Sequence, residues 1–166
     1  MGMKDYVRAC EIMSQHLEIQ DFVGSRPETL VQKAEKVLGL HFPLTFRHFV
    51  LEYGAGSFGG FEVYGVINDQ YYNSAIPNGV WATLDARAKW NLPMHYFHVA
   101  NDGMGTDFCL DFNLSIGDES PVVIYEIGLQ STEQTIPKVA DDFGIFFLSN
   151  VMQSLDFHLG QRTGGS

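Results

Sequence analysis

The chain has 166 residues, 45% hydrophobic and 13% aromatic, a composition that builds a buried core and excludes a disordered polymer. Its formal net charge is −10, and from Asp102 onward Lys138 and Arg162 are the only basic residues among many carboxylates. Phosphate recognition needs Lys and Arg, and anionic lipid repels a negative surface, so nucleic acid and membranes are poor partners and a basic protein is a good one.

The first elements are helical. Met3, Val7, Cys10 and Leu17 fall near helical spacing and predict an amphipathic helix over 4–16, broken over 18–24. Ser25-Arg26-Pro27-Glu28 has the form of a capping box, with Ser25 as cap and Pro27 in the first turn. Leu30, Val31, Ala34, Val37 and Leu38 then make one apolar face, and Gly39 is the expected C-cap. Pro43 opens another helix with Phe46, Phe49, Val50 and Tyr53 as its buried stripe. The two helices form a tight corner.

After Gly60 the apolar period changes from near 3.6 to near 2. Strands are expected over 61–66, 96–100, 106–112 and 121–127, with Asn101-Asp102-Gly103-Met104-Gly105 as a hairpin turn. A second polar turn holds Gly117-Asp118-Glu119. Between the first two strands, Val80, Leu84 and Ala88 mark a helix over 79–91 that stops near Pro93. Val139, Phe143, Phe146, Phe147 and Val151 mark a closing helix after Pro137. The sum is one α+β domain over 1–166, a mostly antiparallel sheet packed with several helices. Its core runs from about 26 to 150, after an N-terminal helix in 1–25 and before a tail at 160–166, and Gly2 is set aside as tail-like. Residues 1–20 have no signal-peptide apolar region, and no run is long enough to span a bilayer. Cys10 and Cys109 are the only cysteines, and they fit a reduced, cytoplasmic protein.

Several catalytic patterns fail on context. Gly54, Gly56 and Gly59 satisfy G-x-G-x-x-G, but a helix precedes them and a strand follows, the reverse of a dinucleotide site. Ser57 follows Gly56 directly, so a nucleophile elbow fails on spacing. His95 and His98, three apart on one strand, point to opposite faces and cannot chelate together. Asp107 and Asp111 share a strand face with Cys109 but stand about 13 Å apart, too far for paired-carboxylate chemistry. No catalytic residue, metal or cofactor is expected. Trp81 and Trp90 are assigned to the core rather than to an interface, with Tyr64, Tyr71 and Tyr72 open to either role.

Val37-Leu38-Gly39-Leu40-His41-Phe42-Pro43-Leu44-Thr45-Phe46-Arg47-His48-Phe49-Val50 and Tyr53-Gly54-Ala55-Gly56 resemble the SUKH superfamily, the Smi/Knr-like proteins. Val99-Ala100-Asn101-Asp102-Gly103, Cys109-Leu110-Asp111, Pro121-Val122-Val123 and Val139-Ala140-Asp141-Asp142-Phe143 extend the likeness in order over about 26–150. Phe42 stands where Leu is usual, and Tyr53-Gly54-Ala55 where Asn-Gly-Gly is common. The resemblance implies a Smi/Knr-like fold and a non-enzymatic immunity protein. Such a protein masks the active cleft of a cognate toxin, here expected to be a basic nuclease. Asp102, Asp107, Asp111, Asp118 and Glu119 are the expected contacts, as turn and strand-face carboxylates left accessible to solvent. A regulatory scaffold for an endogenous partner is the second expectation, and a small-molecule binder the third.

Overall fold

The computed structural model describes residues 2–163. Helix α1 (Gly2–Ser14) leads into strand β1 (Gln20–Phe22), followed by α2 (Glu28–Leu38) and α3 (Leu44–Glu52). Strands β2 (Gly56–Phe58) and β3 (Phe61–Val63) precede α4 (Gly79–Trp90). Then come β4 (Tyr96–Asn101), β5 (Asp107–Asp111), β6 (Val122–Ile124), β7 (Lys138–Ala140) and the long α5 (Phe143–Thr163). The antiparallel strands divide into two sheets, ordered β1-β2-β3 and β4-β5-β6-β7. The backbone N–H of Tyr64 donates to Val99 O at 2.8 Å and ties one sheet to the other. The fold is α+β, as the periodicity predicts.

Phenylalanine fills the centre. Phe42, Phe46, Phe49, Phe143 and Phe147 are fully buried, with Phe46–Phe143 centroids 5.1 Å apart and Phe49–Phe147 5.3 Å apart. Phe97 brings β4 into the same cluster, 5.4 Å from Phe42 at a 72° angle. Edge contacts of this kind orient the rings beyond simple area burial. On β5, Phe108 and Leu110 face this core, while Cys109 faces a smaller cluster with Tyr96, Val123 and Tyr125. Strand alternation therefore places two apolar layers on the two faces of the second sheet.

The α2–α3 corner follows from a few residues. Gly39 takes φ 69 and closes α2, so its lack of a side chain is required there. The buried Glu35 carboxylate accepts from the Phe42 N–H at 2.8 Å and from Arg47 Nε at 3.2 Å, tying α2 to α3. Arg47 also pairs with Glu28.

Five local expectations are corrected. Ser25 does not cap α2: Pro27 occupies the N-cap position, and Glu28 bonds Arg47 instead of closing a capping box. Residues 20–22 and 56–58 form paired strands, because Gly56 admits the Asp21 backbone so closely that a Cβ there would lie 2.1 Å from Asp21 O. Val139 lies in β7, and the closing helix starts at Phe143. Gly2 is no tail residue: a Cβ on Gly144 would sit 2.0 Å from Gly2 O, so the N-terminal ends of α1 and α5 touch backbone to backbone. Of the expected tail, 160–163 continue α5, and 164–166 lie outside the described residues.

Candidate protein-binding surface

The β4–β5 hairpin is built by its own turn residues. Asp102 Oδ1 accepts the N–H groups of Met104 at 2.8 Å and Thr106 at 3.0 Å, and Asn101 Oδ1 accepts that of Gly103 at 2.7 Å. Gly103 and Gly105 supply the positive φ the turn needs. The Thr106 and Met104 amides hold the Asp102 carboxyl below the usual aspartate range. Asp102 is exposed, beside Met104 at 87% exposure.

The other four expected contact residues differ in accessibility. Asp118 is exposed, and its backbone carbonyl accepts the Leu44 N–H at 2.8 Å. Glu119 is half-buried and caps α3 from outside: Oε2 accepts the Thr45 hydroxyl at 2.8 Å and Oε1 the Thr45 N–H at 2.9 Å. Pro43 offers α3 no capping side chain, so this cap is borrowed across the sequence. Asp111 is only 5% exposed and accepts the Asn113 N–H at 3.0 Å, so the solvent access expected of it is not found. Asp107 sits on the rim, accepting from Asn101 Nδ2 at 2.8 Å and lying 3.0 Å from His98 Nε2. Burial pushes the Asp107 carboxyl up, but the His98 imidazole 3.0 Å away and the hydrogen bonds from Asn101 and the Ile127 N–H outweigh it and leave it lowered. The structure brings none of the five into one cluster; they mark both ends of β5 and the loops beyond.

His95 lies ahead of β4 rather than within it, and its Nε2 is 4.0 Å from Asp111 Oδ1. Each histidine thus meets its own β5 carboxylate. Among the described residues, no group of three or more His, Cys, Asp or Glu side chains is placed to hold a metal ion.

Sequence reasoning missed the groove between α4 and β5. The buried Asn78 caps α4 by accepting the Trp81 N–H at 3.1 Å, and Thr83 Oγ1 accepts the His98 N–H at 3.0 Å, fixing the helix against β4. The buried face of α4 is Val80, Ala82, Thr83 and Ala86; of the expected face, Val80 is buried, Leu84 packs against the core only in part, and Ala88 is exposed. Neither tryptophan is in the core: Trp81 lies on the flank of α4, and Trp90 is its last residue. Trp90 is 58% exposed and Trp81 half-buried, and with Asp85, His98, Asp107 and Ile127 they line a groove of about 350 Å³. Beyond it, burial and then the charges of Glu62 and Asp107 push the Tyr64 hydroxyl up to about 12, so two carboxylates flank that ring. The available signal was the small-residue stripe Ala82–Ala86, which suits a helix lying close on a sheet.

Among the described residues no helix is long and apolar enough to cross a membrane. No curated protein matches the chain. A family model, SUKH_6, described as SMI1-KNR4 cell-wall, matches residues 28–147, from the first residue of α2 into α5. That stretch holds the α2–α3 corner, both sheets but for β1, and the α4 groove. The chain belongs to the SUKH superfamily, in its SMI1-KNR4 family, a group associated with toxin immunity and generally non-catalytic.

Proposed function

We propose that this protein is a cytoplasmic immunity protein that binds the toxic domain of a cognate toxin, a basic nuclease, and masks its active cleft. Family membership is the observation that carries this reading, and the excess of acidic residues from Asp102 onward supports a basic partner. Carboxylates on the immunity protein stand in for substrate phosphates, so the toxin's own cationic cleft becomes the docking site. Asp102 and Asp118, both exposed, are assigned to direct contact. Asp107 acts from the groove rim, while Asp111 and Glu119 hold the loops that carry their neighbours. No step of bond chemistry is required of this chain.

The test is co-expression with a candidate toxic domain drawn from the neighbouring genes. Protection of growth and co-purification of a complex are expected, both weakened by Asp102→Asn combined with Asp118→Asn. Unprotected growth and no complex would end the proposal. A regulatory scaffold for an endogenous partner remains the second reading, supported by the same family's regulatory members; complex formation with a host protein and not with a toxin would favour it.

A further inference from the structure

The chain has two tryptophans, and both line one groove beside acidic side chains. We infer that the α4–β5 groove is a receptor for a single arginine or lysine side chain projecting from a basic protein partner. This rests on the reading that the chain binds such a partner and specifies how one of its residues is held.

The geometry supports a cation between two kinds of attraction. An indole face draws a guanidinium or ammonium through its quadrupole, and more strongly when the pair is shielded from water. Trp90 is placed for this, not loose: its Cε3 lies 3.8 Å from where a Cβ on Gly128 would stand, so the indole leans on the loop after β6. Asp107 forms the far wall, its carboxylate held in place by Asn101 Nδ2 at 2.8 Å and the Ile127 N–H at 3.3 Å, with His98 Nε2 3.0 Å away. Asp85 stands on the helix side, 2.8 Å from Lys89 Nζ. That pair is one helical turn long and exposed on the lysine side, a contact weak enough for an incoming guanidinium to replace. Ile127 supplies apolar wall for the methylene stem of the guest. A neutral guest gains only the apolar contact of these walls, without the attraction of indole face and carboxylate, and an acidic one is repelled by both carboxylates.

Because Trp81 and Trp90 both border the groove, tryptophan emission reports on it directly. The experiment titrates the full chain at low ionic strength with a blocked Gly-Arg-Gly-Arg-Gly peptide and with the same peptide carrying citrulline, which keeps the shape and removes the charge. A saturable emission change is expected with arginine and none with citrulline. Trp90→Ala, at an exposed position, should weaken arginine-peptide binding about fivefold, followed through the Trp81 indole N–H resonance. Asp85→Asn should weaken it as well. Equal titration by the citrulline peptide, or unaltered affinity in Trp90→Ala, would overturn the assignment. No toxin enters this titration. A flat result removes the groove assignment even where the chain protects cells; a saturable one beside failed protection removes the masking function and leaves the groove's chemistry standing.

Discussion

Glu119 caps α3 through Thr45 in its first turn, although 74 positions separate the two residues in the chain. Its two oxygens satisfy both the amide and the hydroxyl of Thr45, and the Gly144 N–H donates to that same hydroxyl at 3.2 Å. One side chain therefore joins α3, the β5–β6 loop and the start of α5. Replacing Glu119 by Ala should cost about 1–2 kcal/mol, the usual range for a lost N-cap, measured by urea denaturation. Combining it with Thr45→Val should cost less than the sum of the two, because both remove the same bond. Additive losses would show that the two residues act independently.

The Gly2–Gly144 contact predicts a reversal of sign. In an ordinary helix interior, Gly→Ala stabilises by roughly 1 kcal/mol. Gly144→Ala should instead destabilise, by about 1–3 kcal/mol for overpacking, because its Cβ would fall 2.0 Å from Gly2 O. A thermal melt of the variant reads the direction. An unchanged or raised melting temperature would mean that α1 and α5 do not meet at their N-terminal ends.

The tryptophans and the phenylalanines should separate in the same assay. Phe46→Ala removes a fully buried ring and should cost about 3–5 kcal/mol. Trp90→Ala, at a surface site, should stay within about 0.5 kcal/mol of wild type. A large loss at Trp90 would return that residue to the core.

Asp107 makes stability depend on pH in a defined direction. Its carboxyl is lowered in the folded chain from the usual 3.8, so the folded state binds its proton less readily than the unfolded state does. The stabilisation is complete above that usual value and is lost as pH falls through the lowered one. Wild type should therefore lose stability between pH 5 and pH 3 more steeply than Asp107→Asn, on the order of a few tenths to 1 kcal/mol for a partly exposed group. Parallel curves for the two proteins would remove Asp107 from the acid transition.

Much of the fold was legible because local signals agreed with each other. Gly39, Pro43 and the Phe46–Phe49 stripe all specify the same corner, and Asn101 to Gly105 carries its turn chemistry within the turn. Strands β1, β2 and β7 were not legible: unlike the equally short β3 and β6, they sit in no longer apolar or alternating run and depend on a distant partner. The same limit governs the surface. Whether a carboxylate is free or already used is decided by partners far away in sequence, as Thr45 decides for Glu119. Asp111 reads as a strand-face acid, yet it is enclosed by the turn it caps. The α4 groove was hidden for another reason. From Val80, faces through Leu84 and Ala88 or through Thr83 and Ala86 are both possible on a helix, and the sheet beneath buries Thr83 and Ala86 fully, Leu84 in part and Ala88 not at all.

Association with the purified toxic domain, followed over rising NaCl, tests the central claim most directly. An acidic surface meeting a basic cleft should give an on-rate that falls steeply as screening shortens the reach of the charges, with a smaller change in the off-rate. An on-rate indifferent to salt, or no measurable complex, would contradict the claim that this chain works by offering negative charge to a basic protein.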